Sequence, residues 1–82
     1  MKDLKFAKQA TDKWTTEVTQ SGEAAYAARI GKFAGSPAAR RYYWISTVYG
    51  RRQNEGYAPT LAEAKAAIQA DWASIADAFQ GV

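Results

Sequence analysis

Residues 60–80 read TLAEAKAAIQADWASIADAFQ, and this stretch decides the fold. Thr60-Leu61-Ala62-Glu63 is a capping box, in which the Thr60 hydroxyl can accept from the Glu63 amide while Glu63 reaches back. Leu61, Ala64, Ile68, Trp72, Ile75 and Phe79 then recur at spacings of 3, 4, 4, 3 and 4, one apolar stripe of an amphipathic helix. The intervening alanines add helix propensity, and Gly81 is a natural stop. The spacing predicts a helix over 60–80 that needs an apolar surface to lie on.

Working back towards the N-terminus, the period changes from 3.6 to two. Residues 40–49, RRYYWISTVY, are dense in aromatic and β-branched side chains and read as a strand ended by Gly50. Residues 51–56 read as a polar loop. Trp14, Thr16 and Val18 alternate with polar neighbours, and Tyr26, Ala28 and Ile30 do the same beyond the turn at Gln20-Ser21-Gly22-Glu23, so strands are expected over 13–19 and 24–31. Leu4 and Phe6 favour a further short strand at 4–8 over a competing helix. The expected fold is a single α+β domain over 1–82: a three- or four-stranded antiparallel meander with one C-terminal helix packed on one face, in two layers.

Facing the helix stripe, the sheet can offer Trp14, Val18, Tyr26, Ile30, Trp44 and Val48, with Leu4 or Phe6 at an edge. The three tryptophans, Trp14, Trp44 and Trp72, therefore read as core rather than as stacking platforms. The opposite side of the sheet carries Thr15, Glu17, Thr19, Arg29, Arg41, Tyr43, Ile45, Thr47 and Tyr49. A wetted sheet face is usually plainly polar; Tyr43, Ile45 and Tyr49 make this one more apolar than solvent requires. Packing between neighbouring strands would explain that, and so would a contact surface, where aromatic residues and arginine concentrate.

The composition limits the chemistry. The 82 residues include 11 Lys+Arg and 8 Asp+Glu, for a net charge of +3, with no Cys and no His. Disulfides, thiolate nucleophiles and cysteine-based zinc sites are closed off, as are the usual histidine triads. The scattered acids form no calcium loop, Ser36 and Ser46 have no base to activate them, and the glycines and lysine of residues 31–36 lack the phosphate-loop order. No catalytic residue, metal or cofactor is expected. No apolar run is long enough to span a bilayer, and the N-terminus lacks a signal peptide's apolar stretch, so a complete cytoplasmic protein with no membrane association is expected.

Charge is unevenly spread: residues 36–59 carry net +3 and residues 60–82 net −2. Arg40/Arg41 and Arg51/Arg52 bracket one strand, about ten residues apart at ~3.3 Å each, so they should lie at its opposite ends. Arginine suits bidentate contact with phosphate or carboxylate, although basic strand ends also keep a small domain soluble and unpaired. The candidate binding residues are Arg29, Arg40, Arg41, Tyr43, Tyr49, Arg51 and Arg52.

Residues 56–68, GYAPTLAEAKAAI, superficially resemble the last strand and helix of a double-stranded-RNA-binding domain, whose helix opens on a lysine-rich stretch. Here only Lys65 is basic, the phosphate-gripping lysines are missing, and the capping box accounts for the likeness. In length, α+β build, lack of catalytic groups and aromatic, arginine-bearing surface, the chain resembles small phage- or prophage-encoded proteins, a class that includes anti-CRISPR proteins. That resemblance implies a non-enzymatic inhibitor docking on a host protein or nucleoprotein complex such as a CRISPR effector, and it assigns no site residues. Two other expectations compete: nucleic-acid binding with Tyr43 and Tyr49 stacking bases, and a homodimer that buries the outer strand between two copies.

Overall fold

The computed structural model describes residues 4–33, 35 and 37–76. Five strands, β1 (Ala7–Ala10), β2 (Lys13–Gln20), β3 (Glu23–Lys32), β4 (Tyr42–Val48) and β5 (Arg51–Ala58), pair in chain order as one antiparallel meander. A 3-10 turn at Ala38–Arg40 precedes β4, and α1 (Leu61–Ile75) follows β5. The α+β class and the single helix on the sheet agree with the sequence reading, but the strand count is five rather than three or four.

The additional strand is β5, which the sequence presented as a polar loop over 51–56. Tyr49 and Gly50 have φ of 48° and 82°, and Ser21 and Gly22 have 55° and 81°. Both pairs show the positive-φ pattern of a type I′ turn, whose twist matches that of the strands it joins. Gly50 therefore reverses the chain instead of ending the sheet. β5 then pairs from Val48↔Arg51 to Tyr42↔Ala58, with a bulge between Arg52 and Asn54. Its inward positions are Asn54, Gly56 and Ala58, too small or too polar to read as a strand. Gly56 has a packing reason: a Cβ there would lie 2.9 Å from Trp44 Nε1, so the indole lies over the bare backbone.

Two further boundaries move. The first strand is Ala7–Ala10 rather than 4–8, and Leu4 and Phe6 pack on the core ahead of it. The strand expected over 40–49 is Tyr42–Val48: Arg40 belongs to the 3-10 turn and Tyr49 to the hairpin. Thr60 caps α1 as expected, its Oγ1 accepting from the Glu63 amide at 3.1 Å. Residues 77–80 of the expected helix, with Phe79 and the Gly81 stop, lie outside the described residues.

α1 packs on β3, β4 and β5. Tyr26, Ile30, Trp44, Ala64, Ile68 and Trp72 are buried between the layers, with Trp14, Val18 and Val48 packed against them. Burying a side chain such as Ile68 contributes roughly 1.5–3 kcal/mol. Residues 4–6 run along the flank of the helix: the Leu4 amide donates to Gln69 Oε1 at 2.9 Å, and Lys65 Nζ lies 5.5 Å from the Phe6 ring. The described part of the leading segment thus adds to the helix side and leaves the opposite side of the sheet uncovered.

One buried group has no counterpart in the sequence reading, in which Asp71 counted only towards the net −2 of residues 60–82. Asp71 instead faces the sheet and is 7% exposed. Its Oδ2 accepts from Tyr26 Oη at 2.8 Å and Ser46 Oγ at 2.6 Å, and its Oδ1 from Asn54 Nδ2 at 3.3 Å. A carboxylate on α1 is thereby bonded to β3, β4 and β5 at once. Burial, followed by the bond to Asp71, pushes the Tyr26 hydroxyl well above the ordinary tyrosine range.

Candidate functional site: the uncovered sheet face

The register defines what the uncovered face presents. Opposed residues share a side of the sheet, which gives three successive rows: Lys13, Gly31, Tyr43 and Tyr57; then Thr15, Arg29, Ile45 and Glu55; then Glu17, Ala27, Thr47 and Arg52.

The first row is aromatic. Tyr43 and Tyr57 meet with ring centroids 5.3 Å apart at 57°. The guanidinium of Arg40 sits over the Tyr57 ring, 5.4 Å from its centroid. Such a cation–π contact holds the side chain in place without removing its charge. Phe33 leans over Gly31, where a Cβ would meet the ring at 3.7 Å. Tyr57 and Phe33 remain 55% and 52% exposed, whereas Tyr43 and Ile45 are half-buried by their neighbours.

A chain of polar contacts continues from this row. The Tyr43 hydroxyl donates to Glu55 Oε2, and Glu55 Oε1 pairs with Arg52 Nη1 at 3.1 Å. The bond to Glu55 is the main reason the Tyr43 hydroxyl titrates above its ordinary value. Both partners of the ion pair are substantially exposed, so it adds little stability and mainly orients the two side chains.

Next to the aromatic row, across the second and third rows, lies an open depression of ≈ 470 Å³. Ala27 and Ile45 supply apolar lining, Thr15 and Thr47 hydroxyls, and Glu17 and Arg29 one charge of each sign. No hydrogen bond or ion pair joins the side chain of Glu17 or Arg29 to another described residue. Among the described residues no three acidic side chains gather where they could hold a metal ion.

The structure brings some of the predicted residues together and separates others. Arg40, Tyr43 and Arg52 belong to one line of contacts, and Arg29 stands beside it. Tyr49 does not continue the Tyr43–Ile45 alternation, because it occupies the β4–β5 turn, where its hydroxyl donates to Gln20 Oε1 at 3.1 Å. Arg51 opposes Val48, at the end of β4 away from Arg41. The two arginine pairs thus lie at opposite ends of β4, the separation predicted from strand length. Tyr57 and Phe33 were missed. Tyr57 was hidden with the rest of β5, and the positive φ at Tyr49-Gly50 has only a weak sequence signal, the glycine at 50.

No helix among the described residues is long and apolar enough to cross a membrane. Comparison with protein-family models, with curated proteins and with solved structures gave no match to this chain.

Proposed function

We propose that this chain is a non-enzymatic binding protein that docks on a protein partner through the aromatic end of its uncovered sheet face. The fitting role is that of a small mobile-element-encoded inhibitor occupying a surface of a host protein or nucleoprotein complex, a CRISPR effector among them. One observation carries the reading: Tyr57 is more than half exposed while Arg40 and Tyr43 hold it in place. Pre-ordered tyrosine and arginine side chains are the usual centres of protein interfaces, since little entropy remains to be lost on binding.

A nucleic-acid strand fits the same surface less well. Arg40 covers the Tyr57 ring on which a base would stack. Glu55 places a carboxylate within the row that phosphates would follow, and it neutralises Arg52.

A photo-crosslinking residue at position 57, compared with one at exposed position 66 on the helix, tests the proposal in the cells that carry the gene. A protein adduct of defined mass is expected from position 57, lost in Arg40→Glu and absent from position 66. Equal adducts from both positions, or none from 57, would refute the docking face. Tight, steeply salt-dependent binding to generic DNA or RNA would transfer the face to nucleic acid.

A further inference from the structure

We infer that the depression between Glu17 and Arg29 is a self-association site whose occupant is the same depression on a second copy of this chain. The inference rests on the second and third rows of the face, whereas the docking proposal rests on the aromatic row; neither Tyr43 nor Tyr57 lines the depression.

A two-fold contact needs a patch complementary to itself. Glu17 and Arg29 provide this, because they stand on neighbouring strands and adjacent rows, at Glu17↔Ala27 and Thr15↔Arg29. They are opposite in charge, and neither side chain makes a hydrogen bond or ion pair with a described residue of its own chain. A two-fold axis crossing the line between them places each Arg29 against the Glu17 of the other copy, forming two identical ion pairs. Between the pairs, Ala27 offers little bulk and Ile45 an apolar side chain that is only half-buried in the single chain. At the margin the Thr47 hydroxyl can donate or accept, and the Thr15 hydroxyl, which accepts from Gln9 Nε2 at 2.9 Å, can donate. A partner carrying only acidic groups would be repelled by Glu17, and one carrying only basic groups by Arg29. The double requirement is met by a surface bearing both charges around an apolar centre, which a second copy has.

Sedimentation equilibrium of the full chain over a wide concentration range tests this. The wild-type mass should rise from the 9.0 kDa of one chain towards about double that value. Arg29→Glu and Glu17→Arg should each remain at the single-chain mass, since each creates two like-charge contacts across the axis. An equimolar mixture of the two variants should recover the double mass, because every contact then joins opposite charges. Both positions are exposed, so the circular dichroism spectrum should stay at wild type, and the melting temperature should match wild type at concentrations where the wild-type chain is single. A wild-type chain that remains single at the highest concentration overturns the inference. So does a mixture that stays single, or an Arg29→Glu variant that associates as well as the wild type.

Discussion

Ser46 Oγ lies 2.6 Å from Asp71 Oδ2 with both residues buried, so β4 and α1 are joined by a charge-assisted hydrogen bond in the middle of an apolar core. Tyr26 and Asn54 donate to the same carboxylate from β3 and β5. Each of the three strands beneath the helix thus contributes one donor. The arrangement fixes the position of α1 on the sheet, which an apolar stripe alone leaves free to slide.

Removing the acceptor should be costly. Asp71→Ala takes the acceptor from the buried Ser46 hydroxyl and the Asn54 amide and leaves Tyr26 only the Ile68 carbonyl at 3.4 Å, and it is expected to destabilise the chain by about 3 kcal/mol. Asp71→Asn keeps one acceptor oxygen and should cost about half as much. Chemical denaturation of the three proteins checks the order. Equal stability of wild type and Asp71→Ala would mean that the carboxylate does not hold the helix.

The Tyr26 hydroxyl gives the network a pH signature. Its folded value lies above the ordinary 10.0, raised first by burial and then by Asp71. The protonated form is therefore favoured by folding, and its contribution is complete below the unfolded value. It is lost as the pH rises from there through the folded value. Tyrosinate absorbance of the native chain should contain a late component that belongs to Tyr26. In Tyr26→Phe that late component should vanish, with a loss of about 1–2 kcal/mol at neutral pH.

Gly56 should not tolerate a side chain. A Cβ would meet Trp44 at 2.9 Å and 3.2 Å, and the indole is rigid and 7% exposed. Gly56→Ala is expected to destabilise by about 1–3 kcal/mol through overpacking. Displacement of the ring should also shift the tryptophan emission to longer wavelength. An unchanged melting curve would show that the ring can move aside freely.

Tyr49 should respond in the opposite direction. It holds a φ of 48° at a turn position better suited to asparagine. Tyr49→Asn is expected to gain about 0.5–1 kcal/mol, even after losing its exposed bond to Gln20. Because Tyr49 lies in the turn and not in the aromatic row, the crosslink from position 57 should persist. Loss of that adduct would restore Tyr49 to the docking surface.

The parts of the fold governed by local rules were legible. The helix start follows from Thr60 and Glu63, and the inward positions Tyr26, Ile30 and Trp44 follow from period-two alternation. Asp71 was not legible, because a carboxylate beside Trp72 reads as solvated unless three donors are known to converge on it from distant strands. β5 was hidden for a related reason. Its inward side is complementary to partners elsewhere, Gly56 to the Trp44 ring and Asn54 to Asp71, and the bulge at Gln53 breaks the alternation. The candidate face was half legible: the places of Tyr43 and Arg29 on it follow from period-two alternation, while that of Tyr57 depends on recognising β5.

Since α1 follows every strand it covers, the order of synthesis has a consequence. The strands leave the ribosome with Trp44, Ile30 and Tyr26 on a nascent sheet, and the helix that buries them is made after all five strands. The vulnerable interval ends only when Ile68 and Trp72 emerge. A stall in translation before that point would leave a sticky, half-built layer for chaperones or proteases to find.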